Sequence, residues 1–129
     1  MALVQQLTIQ VENKRGTLAA ICSELAKVAV NIGGISVRDY PGKYLIRIVP
    51  NPLETAKKVL KQLGHAFKED TVITVHLADR PGSLGKITRK LSDKGIDILY
   101  AYGTIERRSD RAMIVMGVSD PEKASQIVK

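Results

Sequence analysis

Leu77-Ala78-Asp79-Arg80-Pro81-Gly82-Ser83-Leu84-Gly85-Lys86-Ile87 decides the fold, because it marks a change of period that the chain makes twice. Before it, Ile73, Val75 and Leu77 alternate with polar residues, the period-two pattern of a half-buried strand. After it, Leu84, Ile87 and Leu91 recur every three or four residues, the apolar stripe of a helix that Gly95 ends. Sixty-six positions earlier (82 − 16 = 66), Glu12-Asn13-Lys14-Arg15-Gly16-Thr17-Leu18 makes the same transition, from Leu7, Ile9 and Val11 to Leu18, Ile21 and Leu25. The same offset pairs Thr8 with Thr74, Val30 with Ile96, Asn31 with Asp97 and Ile32 with Ile98. One small unit is duplicated, so functional residues are expected twice, at matched positions.

Working outward, Asn31 is expected to end the first helix, and Ile32 to Asp39 reads as a strand. Tyr40-Pro41-Gly42-Lys43 is turn chemistry and Tyr44 to Val49 a third strand. Asn51 as cap and Pro52 in the first turn open a helix with the stripe Leu53, Ala56, Val59, Leu60 and Leu63, stopped by Gly64. Ala66 to Glu69 is a short fourth strand, giving β-α-β-β-α-β. The second copy repeats the order through Ile98 to Glu106, Ala112 to Val118, and a helix capped by Asp120 with Pro121 in its first turn. The two prolines are 69 apart (121 − 52 = 69), which makes the second hairpin three residues longer, with a charged tip at Arg107-Arg108-Ser109-Asp110-Arg111.

The fold class is therefore α+β: two ferredoxin-like units, residues 1–69 and 70–129, each an antiparallel sheet with its helices on one face. Only Asp70 and Thr71 separate the copies, so no flexible linker is expected. Lys129 matches Leu60, so the second copy lacks its last strand. The bare edge this leaves should be covered, by a partner chain or by another strand of this one. Leu45 and Val49, with Met113 or Ile114, fall on the face away from the helices and point to contact with another sheet or subunit.

At 129 residues, 44% hydrophobic, the chain is long enough for two small packed units, each marginal alone. No apolar run approaches the ~20 residues of a membrane span, and Met1-Ala2-Leu3-Val4-Gln5-Gln6 is no secretory signal. The one cysteine, Cys22, lies on an apolar helix face and reads as core; with no disulfide possible within the chain, the cytoplasm is expected. His65 and His76 are isolated, and no P-loop, nucleophile elbow or Cys/His cluster occurs. No enzyme, metal or cofactor is expected. The net charge of +7 fits a lysine-rich surface or attraction to an anion.

The Asp79-Arg80-Pro81-Gly82-Ser83-Leu84 loop, the helix after it and Gly95-Ile96-Asp97-Ile98 resemble the opening of an ACT domain. The first copy departs from the pattern at Arg15, where the family has proline. Together the copies resemble free-standing tandem ACT proteins, which carry no catalytic domain. The resemblance implies a regulatory module that binds a small ligand, most often an amino acid, between paired domains. The residues are compatible with this. Gly16 and Gly82 let the backbone bend sharply into a helix, and the amides of Thr17, Leu18, Ser83 and Leu84 at the helix starts favour a carboxylate. Asn13 or Asp79 could receive an ammonium. The resemblance further implies that Asn31-Ile32 and Asp97-Ile98 face the loop of a neighbouring domain.

Each of these residues also has a purely structural reading, as turn former or helix end. The expected partners are an amino acid or similar ligand, a second copy in a homodimer or higher oligomer, and a regulated protein of unknown identity. The alternative is a nucleic-acid-binding module, since the same strand order underlies RNA-recognition domains. Those carry stacking aromatics on the third strand, and Leu45-Ile46-Arg47-Ile48-Val49 and Met113-Ile114-Val115-Met116 have none.

Overall fold

Both changes of period are strand-to-helix junctions in a computed structural model of the chain, which describes residues 2–106 and 111–128. The elements are β1 (Ala2–Val11), α1 (Thr17–Lys27), β2 (Asn31–Tyr40), β3 (Lys43–Asn51), α2 (Leu53–Gln62), β4 (Phe67–Ala78), α3 (Ser83–Asp93), β5 (Ile98–Glu106), β6 (Arg111–Val118) and α4 (Pro121–Ile127). They fall into two compact units, Gln5–Asp70 and Thr71–Lys129 together with Met1–Val4. No helix of the described residues is long and apolar enough to cross a membrane.

In the first unit the strand order is β2-β3-β1-β4. Leu7 faces Ile48 and Ile9 faces Ile46 across the antiparallel pair. These four are buried with Ile21 and Leu25 of α1 and Ala56 and Leu60 of α2, so both helices cover one face of the sheet. Burial of each leucine or isoleucine among them contributes about 1.5–3 kcal/mol. On the opposite face the Gln6 amide donates to Thr8 Oγ1 (3.4 Å), and Thr8 donates in turn to Asp70 (3.2 Å). Gln6 is fully buried, and this chain gives its amide a partner.

The second unit repeats the plan in the order β1-β4-β6-β5. Ile73 faces Met116 and Val75 faces Ile114. Ile87 and Leu91 of α3 and Ala124 of α4 pack on them. The start of β1 lies beside β4 in this unit: Ala2–Val4 belong to it, and Thr74 Oγ1 donates to the Ala2 carbonyl at 3.4 Å. The covering strand is thus the chain's own. Ile114 is packed with the core, which puts Met113, its neighbour along the strand, on the other face. There the Tyr100 ring lies over Gly117, so closely that a Cβ at Gly117 would fall within it.

The structure corrects several boundaries. Asp70 and Thr71, expected between two strands, lie within one, since β4 runs unbroken from Phe67 to Ala78. Helix α1 ends at Lys27, not Asn31, in a Schellman turn: the Ala29 amide donates to Ala26 O and the Val30 amide to Leu25 O, with Ala29 left-handed at φ 57°. Asn31 is the first residue of β2 and pairs with Asn51. That pairing also takes Asn51 out of the capping role. Pro52 is the N-cap of α2, and no side chain caps it. In α4 the expected cap is present, with Asp120 accepting from the Lys123 amide and Pro121 in the first turn. The prolines are therefore not equivalent. The strand pairings Ile9–Ile46 and Val75–Ile114 set the offset at 68 (114 − 46 = 68), so the second hairpin is two residues longer rather than three. Its charged tip lies outside the described residues except for Arg111, which is exposed. Cys22 is half-buried rather than core.

Candidate functional site

The two glycine loops are built alike, bond for bond. In the second unit the Arg80 amide donates to Ala78 O (2.9 Å), Ser83 to Arg80 O (3.3 Å) and Lys86 to Gly82 O (3.0 Å). In the first, Lys14 donates to Glu12 O (2.9 Å), Thr17 to Lys14 O (3.1 Å) and Ala20 to Gly16 O (2.9 Å), each the same contact shifted by 66. Gly16 (φ 89°) and Gly82 (φ 92°) are the left-handed N-caps, a conformation that a side chain would strain. Neither α1 nor α3 has a side-chain cap, so Thr17 and Ser83 are first helical residues and not caps. Their own amides are turned back into the loop. The first-turn donors that have no carbonyl four residues earlier inside the helix are those of Leu18 and Ala19 in α1 and of Leu84 and Gly85 in α3.

Around the second loop is an open cavity of about 310 Å³. Leu77, Ala78, Leu84, Ala112 and Ile114 form its apolar wall, with Gly103 between them and Asp79, Arg80 and Ser83 at the polar rim. The expected residues Asp79, Gly82, Ser83 and Leu84 are thus together, with Gly82 as the turn that places the other three. Asp97 and Ile98 are not with them. They line a separate, more polar cleft of about 530 Å³ with Thr88, Arg89 and Ser92. Within one unit the loop and Asp97 stand at opposite ends of α3, whose 11 residues span about 16 Å. The Asp97 backbone is fixed by exchange with Ser119, amide to Oγ and Ser119 amide to carbonyl, both 2.9 Å.

The first loop differs in its surroundings. Asn13 donates to Asp39 at 3.0 Å, which engages the side chain expected to meet a ligand. Lys14 pairs with Glu12 at 3.1 Å. Thr17 lines an open cleft with Gln10, Glu12 and His65. Leu18 and Ile32 pack against the core, and Asn31 is exposed at the start of β2. Gly103, Ala112 and Ile114, 21 to 32 residues beyond the second loop, were not indicated by any pattern around the glycine. Setting Ala112 beside its partner in the other copy would have revealed them.

The model of a known family, described as an ACT domain pair, matches residues 1–129. No curated protein matches significantly. Among solved structures, the chain is similar to protein BT0572 from Bacteroides thetaiotaomicron, with 26% identity over 97% of this chain and 85% of that one, at a TM-score of 0.90. It shares the fold of the ligand-free regulatory subunit of aspartate kinase from Thermus thermophilus, at 16% identity, 99% and 91% coverage and a TM-score of 0.70. It also shares the fold of E. coli aspartokinase III, solved with lysine and aspartate, at 15% identity and a TM-score of 0.58, over 98% of this chain and 29% of that one. The duplicated β-α-β-β-α-β unit, its paired glycine loops and the match along the whole sequence place this chain in the family of ACT domain pairs.

Proposed function

We propose that this chain is a regulatory sensor without catalytic activity, which binds a free amino acid at the Asp79–Leu84 loop and passes the change on through assembly or a partner protein. The observation that carries this reading is the cavity in which an apolar wall meets a rim of both charges. Asp79 offers a carboxylate to an ammonium group, while Arg80 and the Leu84 amide at the start of α3 offer positive charge to a carboxylate. Those are the two poles of an amino acid, set beside an apolar surface for its side chain. Membership of the ACT domain pairs supports a regulatory role, and the aspartate kinase regulatory subunit shares the fold.

Asp97 and Asn31 join this reading only if another unit brings them to a loop. We propose that a second copy of the chain does so in a homodimer. A ligand that binds one assembly state better than another shifts the balance between them, and that difference is the signal.

The test is thermal unfolding with each amino acid in turn. A ligand at 100 times its Kd adds about 2.7 kcal/mol to stability. A raised midpoint that disappears in Gly82→Val, whose side chain is strained at φ 92°, is the expected result. If no amino acid moves the midpoint of the wild-type chain, the sensor reading is wrong.

A further inference from the structure

The two copies share a loop, and the first also borders an open cleft toward Gln10 and His65, but only the second has an apolar cavity on the strand side of the loop, where one position makes the difference. Tyr44 faces Val11 across β1 and β3, and Ala112 faces Leu77 across β4 and β6, in the same register shifted between copies. In the first unit Tyr44 packs against the core with Val11 and Leu18. In the second, the alanine leaves that place open, and Leu77 and Leu84 line the cavity. Leu84 is 47% exposed, whereas Leu18, its counterpart, is packed. Gly103 extends the difference, standing where the first copy has Val37. A Cβ there would come within 2.5 Å of the Met113 carbonyl, so β6 is held too close for any side chain. The polar groups differ in parallel: Asn13 is tied to Asp39 at 3.0 Å, while Asp79, its counterpart, lines the cavity.

We infer that the two units are not equivalent sites: only the second takes the ligand's side chain, which is aliphatic, and the first is closed by its own Tyr44. This rests on the sensor reading and narrows it to valine, leucine or isoleucine, one molecule per chain. An apolar cavity next to an exposed leucine loses dispersion contacts that a filling group restores. A volume near 310 Å³ lies at the small end of the range for ligand pockets, which suits a branched aliphatic chain with its charged end at the rim. A long cationic or anionic side chain would bury charge against Leu77, Ile114 and Ala112 without a partner.

The test is calorimetric titration of the full chain with valine, leucine, isoleucine, lysine and aspartate, repeated on Ala112→Tyr, Ala112→Val and Leu84→Ala. Ala112→Tyr installs the side chain that the first unit already accommodates. Expected are one aliphatic amino acid per chain, at least tenfold weaker binding in Ala112→Tyr, and an intermediate loss in Ala112→Val. Ala112→Val keeps the test intact should the tyrosine variant fail to fold, as judged by circular dichroism. Leu84→Ala weakens binding independently of the strand. Binding of lysine or aspartate in preference to the aliphatic three, or full affinity in Ala112→Val, overturns the inference and leaves the sensor reading standing. Silence of all five ligands overturns the inference itself, and the full set of amino acids then decides the sensor reading.

Discussion

Ala29→Gly should make the protein more stable, although it replaces the best helix former by nearly the worst. Ala29 is not helical. It occupies the residue after the C-cap of α1, at φ 57°, and closes the Schellman turn through its amide to Ala26 O (3.1 Å) and that of Val30 to Leu25 O (3.0 Å). The matching residue of the second copy is Gly95 at φ 76°, with the same bonds to Ser92 O and Leu91 O, both 3.0 Å. An L-residue in the left-handed region costs about 1–2 kcal/mol. Glycine gives back about 0.4–1 kcal/mol through the freedom of its unfolded chain. The difference is a net gain of about 0.5–1 kcal/mol for Ala29→Gly. Gly95→Ala should lose a similar amount, and no atom lies within 4 Å of the added Cβ to complicate it. For a chain of this length that is roughly 2–5 °C in opposite directions, read by calorimetry or far-UV dichroism. A lower midpoint for Ala29→Gly, or shifts of the same sign in both variants, would refute the assignment of strain to the left-handed alanine.

Other expectations follow from particular contacts. Asp120→Ala removes the cap on the Lys123 amide (3.1 Å) and should cost about 1 kcal/mol in urea unfolding; Asp120→Asn, which also caps, should lose little. The hydrogen bond from Lys57 to Glu69 raises the Lys57 pKa above its ordinary 10.5, with Glu54 adding to the effect and burial opposing it. Since the folded-state value is the higher one, this stabilisation is complete below pH 10.5 and fades as pH rises through the raised value. The stability gap between wild type and Lys57→Met should accordingly close in strong alkali, and a gap independent of pH would count against the pairing. Gly117→Ala pushes its Cβ into the Tyr100 ring, an overpacking worth about 1–3 kcal/mol. In the double variant with Tyr100→Ala that penalty should vanish, and a strictly additive double-mutant cycle would exclude the contact.

The parts of the fold legible in sequence are those set by local chemistry. Period changes at Leu77 and Leu84 locate strand and helix because both follow from where apolar side chains must point. Gly64 and Gly95 announce helix ends because left-handed backbone favours glycine. Ala29 gives no such announcement. Nothing in its composition distinguishes an alanine that continues a helix from one that closes it, and so the end of α1 reads as Asn31. The offset of 68 was hidden for a related reason. Pro52 and Pro121 look like equivalent signals, and only the pairing of β1 with β3 and β4 with β6 shows that one is a cap and the other the first helical residue. That the edge of β4 is covered by Ala2–Val4 was not legible, because strand partners far apart in sequence leave no mark on each other.

The site divides along the same line. The loop residues Asp79, Gly82, Ser83 and Leu84 are contiguous, and glycine there has a local cause. The cavity beside them is defined by side chains that are small, and a small residue in a strand carries no signal of its own. Ala112 reads as an ordinary strand alanine until Tyr44 is set beside it. Then the repeat serves as an internal control: one backbone plan, once with the space filled and once with it open. The filled copy shows that the unit packs well with an aromatic ring at that place, so the fold does not require the gap. An open apolar cavity beside a half-exposed Leu84 forgoes packing that a substitution already present in the same chain would recover. A cavity of that kind has its best physical account in a ligand that fills it.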